Sequence, residues 1–89
     1  MDKETATNIL QDYTDLMAIQ RLILKYYKLN TDERALRGEV HRKVASDLDM
    51  TINPRFYSLF NRVTSQLNLK KIKVQGIAHY KGLTPRNNV

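Results

Sequence analysis

Residues 53–67, NPRFYSLFNRVTSQL, carry a start signal, one apolar stripe and one polar face, and the rest of the chain is read outward from them. The side-chain oxygen of Asn53 suits a helix N-cap, and Pro54 suits the first helical position, where a missing N–H costs nothing. Phe56, Leu59, Phe60, Val63 and Leu67 recur at the spacing of one buried helical face; a strand would alternate instead. Opposite lie Ser58, Asn61, Arg62 and Ser65, flanked by Arg55 and Tyr57, and the stretch contains no acid. Taken alone, it is an amphipathic helix with a solvated polar face.

Upstream, Glu39–Leu48 is expected as a second helix, its Val40, Val44 and Leu48 stepping by four with Ala45 beside them, and Asp49–Thr51 as a turn. Thr5 or Thr7 begins a long first helix that runs to Leu29 without Pro or Gly. At 1.5 Å per residue it would reach roughly 37 Å, about the span of the remaining domain. Two apolar seams run along it: Ile9, Leu16, Ile19, Ile23, Tyr26, and, about 100° round the helix, Leu10, Tyr13, Met17, Leu24, Tyr27. One seam suffices for the chain's own core. The second suggests either a homodimer through Leu10, Tyr13, Met17, Leu24 and Tyr27, or two shorter helices hinged near Met17. Thr31 or Asp32 reads as a new cap, Gly38 as an interruption, and Ala35–Arg37 as a weakly signalled strand.

After Leu67 the helical period gives way to alternation. Residues 69–81 read as a hairpin, Leu69, Ile72 and Val74 spaced by lysines, Gln75-Gly76 turning, and Ile77–Tyr80 returning. Residues 1–4 and 84–89 are expected to be loosely held, leaving a single domain over 5–83.

Composition narrows the function. An 89-residue chain buries only about 60–65% of its unfolded surface, which argues against a large internal active site. It has no cysteine, so thiol catalysis, disulfides and thiolate zinc are excluded. No apolar run approaches the roughly 18 residues of a membrane span, and the first residues do not resemble a secretory signal, so an intracellular location (cytoplasm or nucleoid, or nucleus in a eukaryote) is expected. Net charge is +6, with residues 1–33 carrying four Lys/Arg against six acids and residues 34–89 eleven against three. That asymmetry points to a polyanion, nucleic acid ahead of a membrane surface, although charge also serves solubility. His41 and His79 lie on different elements and read as surface or phosphate-contacting residues; no nucleophile motif, phosphate loop, metal site or cofactor site is present, and no enzymatic role is expected.

Helix, short connection, helix, tight turn, helix and basic hairpin resemble a winged helix-turn-helix: mainly α with a small β-hairpin (α+β), preceded by a long N-terminal helix. The resemblance rests on Val44-Ala45 through Leu59 and extends over roughly residues 9–83. Ala45 matches the small residue of the first helix, Asp49 stands where Gly is usual, Met50 fills the apolar turn position, and Phe56 and Leu59 match the locking pair with a turn one residue longer. The stretch from Lys70 to Leu83 is similar to the wing of winged-helix tails on phage and poxvirus-type primase-helicases, to archaeal replication initiators, and to small viral and plasmid regulators.

The resemblance implies double-stranded DNA as ligand. Ser58, Asn61, Arg62 and Ser65 would read base edges, while Arg55 and Tyr57 hold flanking phosphates. Lys70, Lys71, Lys73, His79 and Lys81 would form a basic wing, with Arg42 and Lys43 as phosphate clamps. A role as transcription regulator or replication accessory factor follows. The competing class is a protein-interaction module that recruits a replication or transcription protein through the apolar N-terminal helix, and structured RNA is a further alternative.

Overall fold

The computed structural model describes residues 3–86. Along the chain run α1 (Lys3–Tyr26), β1 (Tyr27–Leu36), α2 (Arg37–Leu48), α3 (Pro54–Gln66), β2 (Lys70–Val74) and β3 (Ile77–Pro85). The strands make one antiparallel sheet in the order β1-β3-β2. The architecture is therefore mixed α+β, three helices and a three-stranded sheet among the described residues.

Helix α3 begins as its sequence predicts. Asn53 has extended backbone, its Oδ1 accepts a 2.8 Å hydrogen bond from the Phe56 amide, and Pro54 opens the first turn. Phe56, Leu59, Phe60 and Val63 are all buried, on the face the periodicity selects. At the far end the Asn68 and Leu69 amides donate back to Ser65 and Thr64, with Asn68 at φ 58°, so left-handed backbone closes the helix. Helix α2 ends the same way. Asp49 sits at φ 53°, ψ 42°, its amide bonded to Ser46 O, while the Met50 amide donates to Ala45 O. An Asp thus takes the left-handed position that glycine usually fills. Ala45 beneath this turn is buried, as are Phe56 and Leu59 beyond it.

Three segments differ from expectation. Helix α1 stops at Tyr26, not Leu29, because Tyr27, Lys28 and Leu29 pair with Pro85, Thr84 and Leu83 of β3. The expected cap at Thr31 or Asp32 is instead an irregularity inside β1: the register shifts between Leu29 and Arg34, and Asn30 has φ 60°. Gly38 does not interrupt but lies within α2, which starts at Arg37. An added Cβ there would meet the Arg42 guanidinium at 3.1 Å, so the bare glycine lets Arg42 fold back over the first turn.

Parts of both segments expected to be loosely held belong to elements. Lys3 already belongs to α1, and Thr84 and Pro85 to β3. The Arg86 amide donates to Tyr26 O at 2.8 Å, and its Nε lies 3.2 Å from the carbonyls of Leu24 and Tyr27, a cation placed on the carbonyl end of α1. Residues 1–2 and 87–89 lie outside the described residues. The core gathers Leu16, Ile19 and Ile23 of α1, Val40 and Val44 of α2, the buried face of α3, and Tyr27, Tyr80 and Leu83 of the sheet.

Candidate functional site

The outward side of α3 presents Tyr57, Ser58, Arg62 and Ser65 exposed and Asn61 half-buried. Lys71 of β2 reaches across to this helix, its Nζ donating to Asn61 Oδ1 at 2.8 Å. Helix and hairpin are thereby joined into one surface by a side chain from each.

The hairpin turns in two residues. Val74 pairs with Ile77, and Gln75 and Gly76 have φ 52° and 80°, the paired left-handed conformations whose twist matches that of the strands. Register then sorts its cations onto two faces. Lys71 and Lys73 stand opposite Tyr80 and Ala78, on the side where Tyr80 enters the core. Lys70 and Ile72 stand opposite Lys81 and His79, on the other side. The expected wing residues are thus not one cluster. On that second face Arg34 of β1 also pairs with Lys81, so Arg34, Lys81 and Lys70 form a row across three strands. Like charges directly opposite destabilise a sheet. Arg34 escapes the sequence reading because it lies just before Ala35–Arg37, the part of its strand that is signalled there.

Several expected contacts are engaged elsewhere. Arg55, expected on phosphate, forms ion pairs with Asp12 at 2.6 Å and Asp15 at 2.7 Å of α1. The two carboxylates raise its pKa beyond its already high ordinary value. The ammonium of Lys43 lies 4.4 Å from the centre of the Tyr26 ring, whose hydroxyl donates to Asp47. That hydrogen bond is the main cause that raises the Tyr26 pKa. Arg42 remains exposed on α2.

The two histidines part company. His41, expected on the surface, is buried, with Nε2 2.8 Å from the Tyr80 hydroxyl and its ring edge-on to Phe60 at 4.4 Å. Burial first, then the nearby charges of Arg37 and Lys71, pushes its pKa down to about 4. It belongs to the core as a neutral ring. Tyr80 is raised by burial, and the Arg37 guanidinium over its ring at 5.5 Å opposes that shift. His79 is half-buried on the hairpin, with Nδ1 2.8 Å from Ile77 O.

On α1, Leu10, Tyr13, Met17 and Leu24 are exposed as the second seam requires, but Tyr27 is buried in β1 and leaves that seam. Ile9, expected in the first seam, is exposed as well. Among the described residues no group of three His, Asp or Glu side chains is placed to hold a metal ion, and no helix is long and apolar enough to cross a membrane. No protein-family model, curated protein or solved structure matches this chain.

Proposed function

We propose that the chain is a winged helix-turn-helix domain that binds double-stranded DNA, with α3 in the major groove and the β2-β3 hairpin as the wing. The observation that carries this reading is the exposed face of α3, free of acids and joined through Lys71–Asn61 to a hairpin whose Lys70 and Lys81 face each other. A polyanion bound beside them would relieve that like-charge pairing. The order of elements, the left-handed turn at Asp49 and the buried pair Phe56 and Leu59 favour the same family.

Within the proposal the residues divide their work. Arg62 is exposed and suits the two acceptors of guanine. Asn61 offers its amide N–H groups and the second lone pair of its oxygen to a base edge, while the first lone pair accepts from Lys71. Ser58, Ser65 and Tyr57 flank these two. Arg42, Lys70, Lys71, Lys73 and Lys81 supply phosphate contacts, and Arg55 and Lys43 drop from the first rank because Asp12, Asp15 and Tyr26 already occupy them.

Fluorescence anisotropy with a pool of random duplexes, followed by selection of the best binders, tests the reading. Arg62→Ala should weaken the selected site by about tenfold or more and relax preference at one base position. Equal affinity of wild type and Arg62→Ala, or preference for an RNA hairpin over duplex in competition, overturns it. The second reading, recruitment of a replication or transcription protein, is favoured by the exposed Leu10 and Tyr13. It prevails if Asn61→Ala with Arg62→Ala leaves function intact while Tyr13→Ala or Leu24→Ala abolishes it.

A further inference from the structure

Helix α1 buries Leu16, Ile19 and Ile23, yet Leu10 and Tyr13 are 67% and 63% exposed, and Met17 and Leu24 are exposed with them. At 100° per residue these four share one stripe centred about 120° from the buried face. From Thr7 to Gln11 every side chain is exposed, so this part of α1 lacks packing that would hold it helical. An apolar contact along the stripe would add side-chain packing to this part of α1.

We infer that the stripe is the contact for a second copy of this chain, two α1 helices lying antiparallel about a two-fold axis at Met17. The stripe is complementary to its own reverse. Leu10 precedes Met17 by as many residues as Leu24 follows it, and Tyr13 precedes it by as many as Arg21 follows. Antiparallel pairing therefore sets Leu10 against Leu24 of the second copy and Tyr13 beside Arg21 of the second copy, each contact made twice, with the two Met17 side chains meeting on the axis. An aromatic face beside a guanidinium adds a cation–π contact to the apolar ones.

Charge is compatible with the antiparallel direction. The edge of the stripe runs through Thr7, Thr14, Arg21 and Lys25, uncharged in its first half and cationic in its second. About a two-fold axis perpendicular to the helices this edge meets its own reverse, so Arg21 and Lys25 lie against Thr14 and Thr7 of the second copy and not against one another. Asp12 and Asp15 take no part, being turned to Arg55. The stripe spans roughly 21 Å of helix. This is less contact than the ~800 Å² per partner of a standard interface, which places the dimer in the weak class.

The absence of cysteine makes the register directly testable. Sedimentation equilibrium of the full chain without nucleic acid should give a dimer by about 100 µM, and Met17→Glu should sediment as a monomer with the circular dichroism and melting that the wild type shows at dilutions where it is monomeric. Oxidising a mixture of Leu10→Cys and Leu24→Cys proteins should give mixed disulfide-linked dimers, each protein alone cross-linking little. A monomer at every concentration up to about 200 µM, or a dimer that Met17→Glu leaves intact, overturns the inference. So does efficient self-linking of Leu10→Cys, which marks a parallel arrangement. These outcomes are read without DNA and stand apart from the proposed DNA binding.

Discussion

His41 illustrates how a titratable residue becomes part of a core. Its ring is packed by Phe56, Tyr57, Phe60 and Tyr80, and a proton on it would have to be buried near Arg37 and Lys71. With a folded pKa of about 4 against an ordinary 6.5, the unfolded chain takes up the proton first as pH falls. The contribution to stability is whole above about pH 6.5, declines below it, and is gone once the pH passes below about 4. Urea unfolding should therefore lose about 2 kcal/mol between pH 7.5 and 5, and His41→Gln should flatten that slope even though it destabilises the fold. A wild-type stability constant across this window contradicts the assignment. Asn53 supports a second residue-level expectation: Asn53→Ala removes the cap on the Phe56 amide and should cost about 1 kcal/mol in the same measurement.

Between elements, the ion pairs of Arg55 link the start of α3 to the middle of α1. Both partners are partly exposed, so the link contributes at most about 1 kcal/mol, and its value lies in setting the approach of α3 to α1. Arg55→Ala should lower stability slightly and change DNA affinity by less than about threefold, whereas Lys71→Ala should weaken binding and lower its salt dependence. A larger loss for Arg55→Ala than for Lys71→Ala would return Arg55 to the phosphate contacts. At the α2–α3 turn, Asp49→Gly should raise stability by up to about 1 kcal/mol, because glycine adopts the left-handed backbone without a Cβ clash.

What the chain discloses before folding is what is encoded locally. The Asn53-Pro54 start, the period of Phe56 to Val63 and the Gln75-Gly76 turn each depend on neighbours in sequence, and all three appear where expected. Strand β1 is legible only at its end, where the weakly signalled Ala35 and Leu36 do pair with β3, because its middle, Asn30 to Glu33, is polar and irregular and its partners are distant; Thr31 meets Thr84 at 2.6 Å across 53 positions. The same reason hides half of the site. Its lysines are visible as charges, but the face each occupies depends on register, and the occupation of Arg55 and Lys43 depends on Asp12, Asp15 and Tyr26, which periodicity does not connect to them.

At the scale of the molecule, Lys and Arg outnumber acids eleven to three from residue 34 onward. Asp12 and Asp15 are paired with Arg55, while Arg42 of α2, Arg62 of α3 and Lys70, Lys71, Lys73 and Lys81 of the hairpin are exposed, the hairpin lysines on both of its faces. A dimer through α1 would present two such surfaces, so binding to DNA carrying two half-sites would depend on their spacing. The central claim rests on those six cations. If they meet phosphate, a random-duplex binding constant measured by anisotropy should fall by about a thousandfold between 50 and 200 mM salt. A binding constant that changes less than about tenfold over the same range would contradict the account.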